Sequence, residues 1–243
     1  MSEIWRLITT WGAEPAFNMG LDEALLGSHA APPTVRFYTW RPDTLSLGYF
    51  QRLADVPGRE GAGALVRRIT GGGAIHHQRE LTFSLSLDLA HPLYAGPIAA
   101  SYERVHALVA AALAEFGVAA ALRGERTLAS DVEGTGMCFH HSTALDLAWD
   151  GRKGAGSAQR RTGGRVLHHG SIKLGTTPLE GDIAFVDRQE TGLDAQAFAP
   201  ALRRAIEHGL GVRLEASVPT PTERDEARRL GARYVDPAFV RRR

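Results

Sequence analysis

The chain has 243 residues, of which 44% are apolar and 23% charged; this globular composition excludes a disordered or fibrous protein. Its 28 basic and 27 acidic residues leave a net charge of +1, so there is no bulk attraction to nucleic acid or anionic membranes. A single cysteine excludes an intramolecular disulfide and a multi-cysteine zinc site, and it favours a reducing, cytoplasmic location.

The sequence contains no signal for export or for membrane insertion. Residues 1–15 lack the basic stretch and apolar run of a signal peptide. No segment approaches the 18 or so consecutive apolar residues that a membrane span requires. We therefore expect no membrane partner and no nucleic-acid partner.

The first half of the chain predicts more strands than helices. Strands are predicted at 4–9, 34–40, 45–50, 64–69 and 81–88, and helices at 15–28 and 97–116. The strand at 81–88 alternates cleanly, with leucine and phenylalanine on one face and threonine and serine on the other. The segment 41–44, between the second and third strands, has the composition of a turn.

The second half predicts strands at 144–150, 156–161, 165–174 and 212–218, and a helix at 195–208. Thr220 and Glu223 form a capping-box pattern that opens a last helix ending near Leu230. Because strands and helices do not alternate regularly, we predict an α+β fold with mixed, mainly antiparallel sheets packed with helices. Without repeats or a linker, we expect a single domain over 1–243.

Lysine is rare in this chain, since 26 of the 28 basic residues are arginine. The two lysines are Lys153 and Lys173. A compact amine is retained where a planar guanidinium does not fit, so each lysine is a candidate for function. Lys153 is predicted in a glycine-rich turn, 151–156, where small neighbours leave room for a substrate. Lys173 ends a predicted strand and is expected to be exposed, so its replacement by arginine should be nearly neutral.

Three consecutive glycines, Gly71–Gly73, follow the strand at 64–69. Such a run weakens the fold through backbone entropy, which favours either a close backbone approach to a ligand or a tight hairpin turn. It is not a Walker A loop, because no Lys-Ser or Lys-Thr follows.

The sole cysteine, Cys138, has two interpretations. Beside Phe139 it could be a small buried hydrophobic residue. As a nucleophile it would need a nearby ammonium group to stabilise its thiolate, and only the two lysines could supply one.

Six of the ten histidines stand in three adjacent pairs, 76–77, 140–141 and 168–169. Neighbours on a strand point to opposite faces, so a pair cannot chelate one ion. With no HExxH motif and no cysteine cluster, we expect no metal site.

Taken in order, these segments resemble the lipoate–protein ligase A and octanoyltransferase family, which is related in fold to biotin protein ligase. The resemblance covers nearly all the chain and rests on 17–24, 40–51, 67–77, 146–159 and 168–171. It implies a biotin/lipoate protein ligase-like catalytic domain without a C-terminal accessory domain. The resemblance implies that the segment Gly71–Gly73, which we call the glycine loop, lines an acyl tunnel together with Ala74. The substrate-binding residues that it implies are Arg68, Gly71, Gly72, Gly73, Ala74, His77, Gly156, Ser157, Ala158, His169 and Gly170.

Within that family the chain is most similar to the cysteine-dependent octanoyltransferases of the ligase-like subgroup. That subgroup carries a Cys-Phe step upstream of the lysine turn, and in this chain Cys138-Phe139 stands 15 residues before Lys153. The resemblance implies that Cys138 is a nucleophile and that Lys153 stabilises its thiolate, binds the thioester oxygen and steers the incoming amine. One departure is Gly73, where the subgroup often has arginine; three glycines are typical of the ligases.

The resemblance thus implies octanoyl transfer from acyl carrier protein to a lysine of a lipoyl domain. The acceptor would be the glycine cleavage H protein or a 2-oxoacid dehydrogenase E2, and no cofactor would be needed. The alternative is a lipoate–protein ligase, which would use Lys153 on an acyl-adenylate, would need ATP and Mg²⁺, and would not use Cys138. A further alternative is a non-catalytic protein that binds lipoyl or acyl-carrier domains.

Overall fold

The computed structural model describes residues 2–242. Within this range the strands are β1 (Glu3–Ala13), β2 (Thr34–Trp40), β3 (Thr44–Leu47), β4 (Ala64–Arg67), β5 (Ile75–His77), β6 (Glu80–Asp88), β7 (Ala121–Leu122), β8 (Leu147–Trp149), β9 (Arg152–Thr162), β10 (Arg165–Lys173) and β11 (Val212–Ser217). The helices are α1 (Pro15–Gly27), α2 (Ile98–Ala114), α3 (Ala195–Leu210), α4 (Pro221–Val235) and α5 (Pro237–Val240).

The strands form two sheets. The larger has the order β11-β1-β2-β6-β10-β9-β8-β7 and is antiparallel from β2 onward, while β1 runs parallel to both of its neighbours. The smaller has the order β4-β3-β5, with β3 parallel to β4 and antiparallel to β5. The α+β fold with mixed, mainly antiparallel sheets is therefore confirmed.

The main hydrophobic core lies on one face of the large sheet, which α2 and α3 cover. Helices α1 and α4 pack against each other on the opposite face, where the capping box predicted at Thr220 and Glu223 is present. Helix α4 is longer than predicted and extends to Val235. Every helix in the described range is too short or too polar to cross a bilayer.

Strand β6 separates the core from the functional site. Its apolar residues, Leu81, Phe83, Leu85 and Leu87, belong to the main core as their alternation predicts. Its polar face is also buried, since Thr82 accepts a hydrogen bond from Trp40 Nε1 at 2.8 Å and Ser84 donates to Asp22 at 2.8 Å. The polar side of the large sheet is thus an interior surface facing α1 and the small sheet.

The second and third strands are joined by the predicted turn, but they do not form a hairpin. Strand β2 pairs with β1 and β6 in the large sheet, whereas β3 joins β4 and β5 in the small one. The turn composition of 41–44 indicates a change of direction, and here that change carries the chain from one sheet to the other.

Candidate active site

The cysteine turn and the glycine loop meet although 64 positions separate Ala74 from Cys138. Cys138 begins a short 3-10 helix, Cys138–His140, which we call the cysteine turn. Its backbone N–H donates to Ala74 O at 2.7 Å, and Ala74 N–H donates to Gly136 O at 2.8 Å. These bonds fix the half-buried Cys138 against the end of the glycine loop.

Lys153 is aimed at Cys138 by a bulge in β9. Leu147 pairs with Ala155, but the next residue, Ala148, pairs with Lys153, so β9 has one residue more than β8 here. A bulge of this kind turns a side chain out of its regular alternation. The structure thus corrects the prediction of a turn at Lys153, which is the second residue of a strand.

The Lys153 ammonium is buried and lies between three acceptors. Its Nζ is 3.3 Å from Cys138 Sγ, 2.9 Å from Cys138 O and 2.9 Å from Asp146 Oδ2. Asp146 is itself held by Thr143, whose backbone N–H donates to the same carboxylate oxygen at 2.7 Å. The amine, the thiol and the carboxylate therefore form one connected group.

The charge of Lys153 is maintained by its neighbours. Burial alone would lower the pKa of Lys153, but its electrostatic interactions and hydrogen bonds with Cys138 and Asp146 more than offset this, and its pKa lies above the ordinary value. Lys153 is therefore an ammonium at neutral pH, which suits it to stabilise a thiolate or a developing oxyanion rather than to remove a proton.

Arg68 organises the glycine loop from inside the protein. Its guanidinium donates to Gly71 O at 2.8 Å, to Gly73 O at 2.7 Å and to Ser46 O at 2.8 Å. Burial lowers the pKa of Arg68 to about 10, so it also stays charged at neutral pH. The loop is no hairpin turn, because β4 and β5 both pair with β3 and not with each other.

Gly73 is required by the close approach of the cysteine turn. A Cβ added there would lie 2.9 Å from both Cys138 N and Gly136 O, which are backbone atoms. Gly71, in the same loop, has open space where its Cβ would point.

With Cys138 as the nucleophile that the family resemblance implies, Gly73→Ala should slow its acylation by about tenfold or more, since a displacement on the order of 1 Å is costly in catalysis. Gly71→Ala, the matched control, should acylate at close to the wild-type rate. Intact-mass time courses on both variants, with circular dichroism as the folding check, measure the difference. Equal rates for the two variants, or loss of folding in both, would indicate a loop that serves the fold alone.

A cavity of about 470 Å³ opens beside Cys138 and Lys153, within the usual size range of small-molecule pockets. Most of the predicted binding residues line it: Arg68, Gly71, Gly72, Gly73, His77, Gly156, Ser157, Ala158, His169 and Gly170. Ala74 does not lie in the wall. It is fully buried in a small apolar cluster, and its backbone holds the cysteine turn instead.

His169 links α1 to the glycine loop. Its Nε2 lies 2.7 Å from Thr70 Oγ1 and its Nδ1 lies 3.3 Å from Asp22 Oδ2. Burial would raise the pKa of Asp22, but Arg36 and His169 hold it below its ordinary value. The Asp22 carboxylate thus orients the His169 imidazole, and the imidazole holds Thr70 at the start of the glycine loop.

The paired histidines contact different partners, as expected for neighbours on a strand. Those partners are Asp43 for His76, Glu80 for His77, Ser157 for His168 and Thr70 for His169. Among residues 2–242, no three histidine, cysteine or acidic side chains come together in a metal-binding arrangement.

The expectation that Lys173 is exposed is wrong. Its side chain is completely buried at the end of β10, where Nζ donates to Glu80 Oε2 at 2.7 Å and to His76 O at 2.6 Å. Replacement by arginine would place a larger group in this enclosed site, so the expectation of a neutral effect is withdrawn.

Several residues of the candidate site were not predicted from the sequence. Asp146, which pairs with Lys153, lies in the segment that carries the family resemblance, so a signal for it existed. The inner wall of the cavity includes Met19, Tyr38, Trp40 and Thr82. No local signal marks them, because an apolar or aromatic side chain on α1 or β2 looks like an ordinary core residue.

Comparison with known proteins places this geometry in a family. A model of the lipoyl protein ligase A/B catalytic domain matches residues 14–183. An octanoyltransferase LipM of Moorella thermoacetica is 39% identical over 229 residues, covering 89% of this chain and 82% of that protein. One of Kyrpidia tusciae is 32% identical over 267 aligned positions, covering 96% and 97%.

Solved structures share the fold. A bi-partite lipoate protein ligase of Thermoplasma acidophilum has a TM-score of 0.76 at 20% identity, covering 98% of this chain and 96% of that one. A lipoate-protein ligase A bound with ATP has a TM-score of 0.73 at 22% identity, covering 96% and 95%. At such low identity the likeness confirms the predicted ligase-like fold and nothing more.

Proposed function

The chain belongs to the lipoyl protein ligase A/B catalytic-domain family, and on this basis we propose that it is an octanoyltransferase of protein lipoylation. The observation that carries the proposal is the 3.3 Å contact between Lys153 Nζ and Cys138 Sγ at the wall of the cavity. A thiol beside a buried ammonium is suited to covalent acyl transfer. The similarity to the octanoyltransferases LipM of Moorella thermoacetica and Kyrpidia tusciae supports the same assignment.

In the proposed first step the Cys138 thiolate attacks the thioester of octanoyl acyl carrier protein. A bond forms between Sγ and the acyl carbon, the bond to the phosphopantetheine sulfur breaks, and the proton lost by Cys138 ends on the departing thiol. Exchange of one thioester for another is nearly isoenergetic, so no other energy source is needed. Lys153 stabilises the thiolate and then donates to the oxyanion of the tetrahedral intermediate.

In the second step a neutral lysine amine of a lipoyl domain attacks the acyl-enzyme. The new C–N bond replaces the bond between the acyl carbon and Sγ, and one amine proton passes to Cys138, which regenerates the thiol. The apolar part of the cavity, including Met19 and Trp40, would hold the octanoyl chain. Acceptors would be the lipoyl domains of an E2 subunit or the glycine cleavage H protein.

The alternative is an ATP-dependent lipoate–protein ligase, and one observation favours it. Gly73 matches the three glycines typical of ligases, and the structure leaves no space for a side chain there. A ligase would adenylate a free acid and would not require the contact between Cys138 and Lys153. A non-catalytic binding protein, the further alternative, would form no covalent adduct.

We expect octanoyl transfer to proceed without nucleotide. The chain, mixed with octanoyl acyl carrier protein and no ATP, should gain one octanoyl mass that hydroxylamine removes. It should then lose that mass to an added lipoyl domain. In a parallel reaction with free lipoate, ATP and Mg²⁺, the lipoyl domain should stay unmodified. ATP-dependent lipoylation that persists in Cys138→Ser would establish the ligase instead, and absence of both an enzyme adduct and any modification of the lipoyl domain would favour the binding protein.

A further inference from the structure

Lys173, the second lysine of the chain, is not part of the cavity wall. Lys173 Nζ is surrounded by three oxygen atoms: His76 O at 2.6 Å, Glu80 Oε2 at 2.7 Å and Glu180 Oε2 at 2.7 Å. His76 O and Glu80 Oε2 accept hydrogen bonds from the ammonium, and Glu180 Oε2 forms an ion pair with it. All these side chains are buried.

The ring of Phe139 also faces the Lys173 ammonium. Lys173 Nζ lies 4.9 Å from the centre of that ring, and Lys153 Nζ lies 5.4 Å from it. Both distances are within the range of cation–π attraction. Phe139 is fully buried and follows Cys138 directly. The only two lysines of a chain rich in arginine therefore converge on the residue next to the cysteine.

A second connection runs through Glu180. The His140 imidazole donates from Nε2 to Glu180 O at 2.6 Å, so the last residue of the cysteine turn is tied to the backbone of Glu180. The carboxylate of Glu180 is in turn paired with Lys173. Lys173 thus contacts the turn at its middle residue and, through Glu180, at its end.

We propose that Lys173 is a positioning residue that holds the cysteine turn, and with it Cys138, in register with Lys153. The proposal rests on the function proposed for Cys138 as nucleophile. Lys173 touches neither the thiol nor the substrate; it acts through Phe139 and Glu180. Arginine cannot replace it, because a planar guanidinium cannot direct its donors to three surrounding oxygens with an aromatic ring close by.

Charge balance supports a lysine here. Burial would raise the pKa of Glu80, but Lys173 and His77 hold it well below its ordinary value. Burial raises the pKa of Glu180 to about 7, so below that pH one ammonium faces one carboxylate and one neutral acid. Loss of Lys173 would leave Glu80 as a buried carboxylate without its main counter-charge, close to the turn that carries the thiol.

The test uses the reactivity of Cys138, which is the only cysteine in the sequence. The rate of alkylation by iodoacetamide is measured against pH for the full chain and for Lys173→Met. The charged and titratable groups around the cysteine turn are Lys153, Asp146, Arg68, Lys173, Glu80, Glu180 and His140. We expect the midpoint of the Lys173→Met profile to rise by about one pH unit, because a displaced Cys138 loses part of its stabilisation by the Lys153 charge, and one unit is the lower end of the effect of a nearby charge.

Two further variants keep the test decisive. If Lys173→Met does not fold, the double variant Lys173→Met with Glu80→Gln is used, because it also removes the unpaired carboxylate. The alkylation profile of the double variant should still differ from wild type, because the contact between Lys173 and Phe139 is lost. Leu214→Ala, in β11 far from the turn, is the control for general destabilisation; it should lower the melting temperature without moving the profile.

A folded Lys173→Met or double variant with the wild-type alkylation profile would overturn the positioning role. Alkylation needs no octanoyl donor, so this result is independent of the transferase proposal. A wild-type chain that never forms an octanoyl adduct would refute the transferase and leave the alkylation result standing.

Discussion

Cys138→Ser should reduce octanoyl transfer from acyl carrier protein to a lipoyl domain by at least about 10³-fold, as expected when a covalent nucleophile is removed. A serine hydroxyl ionises far less readily than a thiol and needs a general base. The group beside it, Lys153, is already protonated and donates its hydrogen bonds. The serine variant therefore has no means of activation.

The fold should survive this substitution. Lys153 also donates to Cys138 O at 2.9 Å, and Cys138 N–H donates to Ala74 O, and both contacts use the backbone. The variant should consequently retain the wild-type circular dichroism spectrum and melting temperature. Loss of transfer can then be assigned to the sulfur atom.

Intact mass spectrometry checks the prediction directly. The wild-type chain should gain an acyl group that hydroxylamine releases, and Cys138→Ser should gain none within the same time. Cys138→Ala, which has no nucleophilic atom, is the control for slow acylation of other side chains. Transfer by the serine variant at the wild-type rate would exclude a cysteine acyl-enzyme.

Regular elements could be predicted because their signals are local. The alternation of 81–88, the capping box at Thr220 and the apolar stripe of α2 each depend on neighbours along the chain, and all three elements formed. Pairing is not local. The turn between β2 and β3 was predicted from composition, but which sheet each strand joins depends on distant strands.

The position of Lys153 shows the same limit within the site. Its scarcity and its glycine-rich surroundings marked it as functional. Its direction depends on a bulge opposite β8, and its contact with Cys138 depends on the backbone bridge to Ala74. Neither feature has a signature in the flanking residues. The sequence alone could therefore identify Lys153 and Cys138 as candidates, but it could not show that they are in contact.

Lys173 was misjudged for a related reason. At the end of an apolar strand a lysine is normally solvated, because burial of an unpaired charge is costly. Its partners Glu80 and Glu180 come from β6 and from a loop after β10. Scarcity of lysine singled out both residues equally, and both are buried beside carboxylates.

Lys153→Arg should lower the transfer rate by about 10²-fold or more, the scale of losing one key electrostatic donor. The charge is kept, so the effect depends on shape. The Lys153 ammonium occupies a site enclosed by Cys138 and Asp146. Gly156, on the same strand, leaves no free space beside it, since even a Cβ added at Gly156 would lie 3.0 Å from Lys153 Cε. A longer planar group must displace the thiol or the carboxylate.

Arg152→Lys is the matched control, because it makes the reverse exchange at the adjacent residue of β9. Arg152 pairs with the exposed Asp182 at the surface, where a lysine can do the same, so transfer should stay within about twofold of wild type, as for most surface pairs. Transfer and acyl-enzyme formation are followed separately for both variants. Slow acylation of Lys153→Arg would show that the lysine stabilises the thiolate and the oxyanion. Normal acylation followed by slow transfer would show that it positions the incoming amine. Near-normal rates in both steps would show that any cation at position 153 is sufficient.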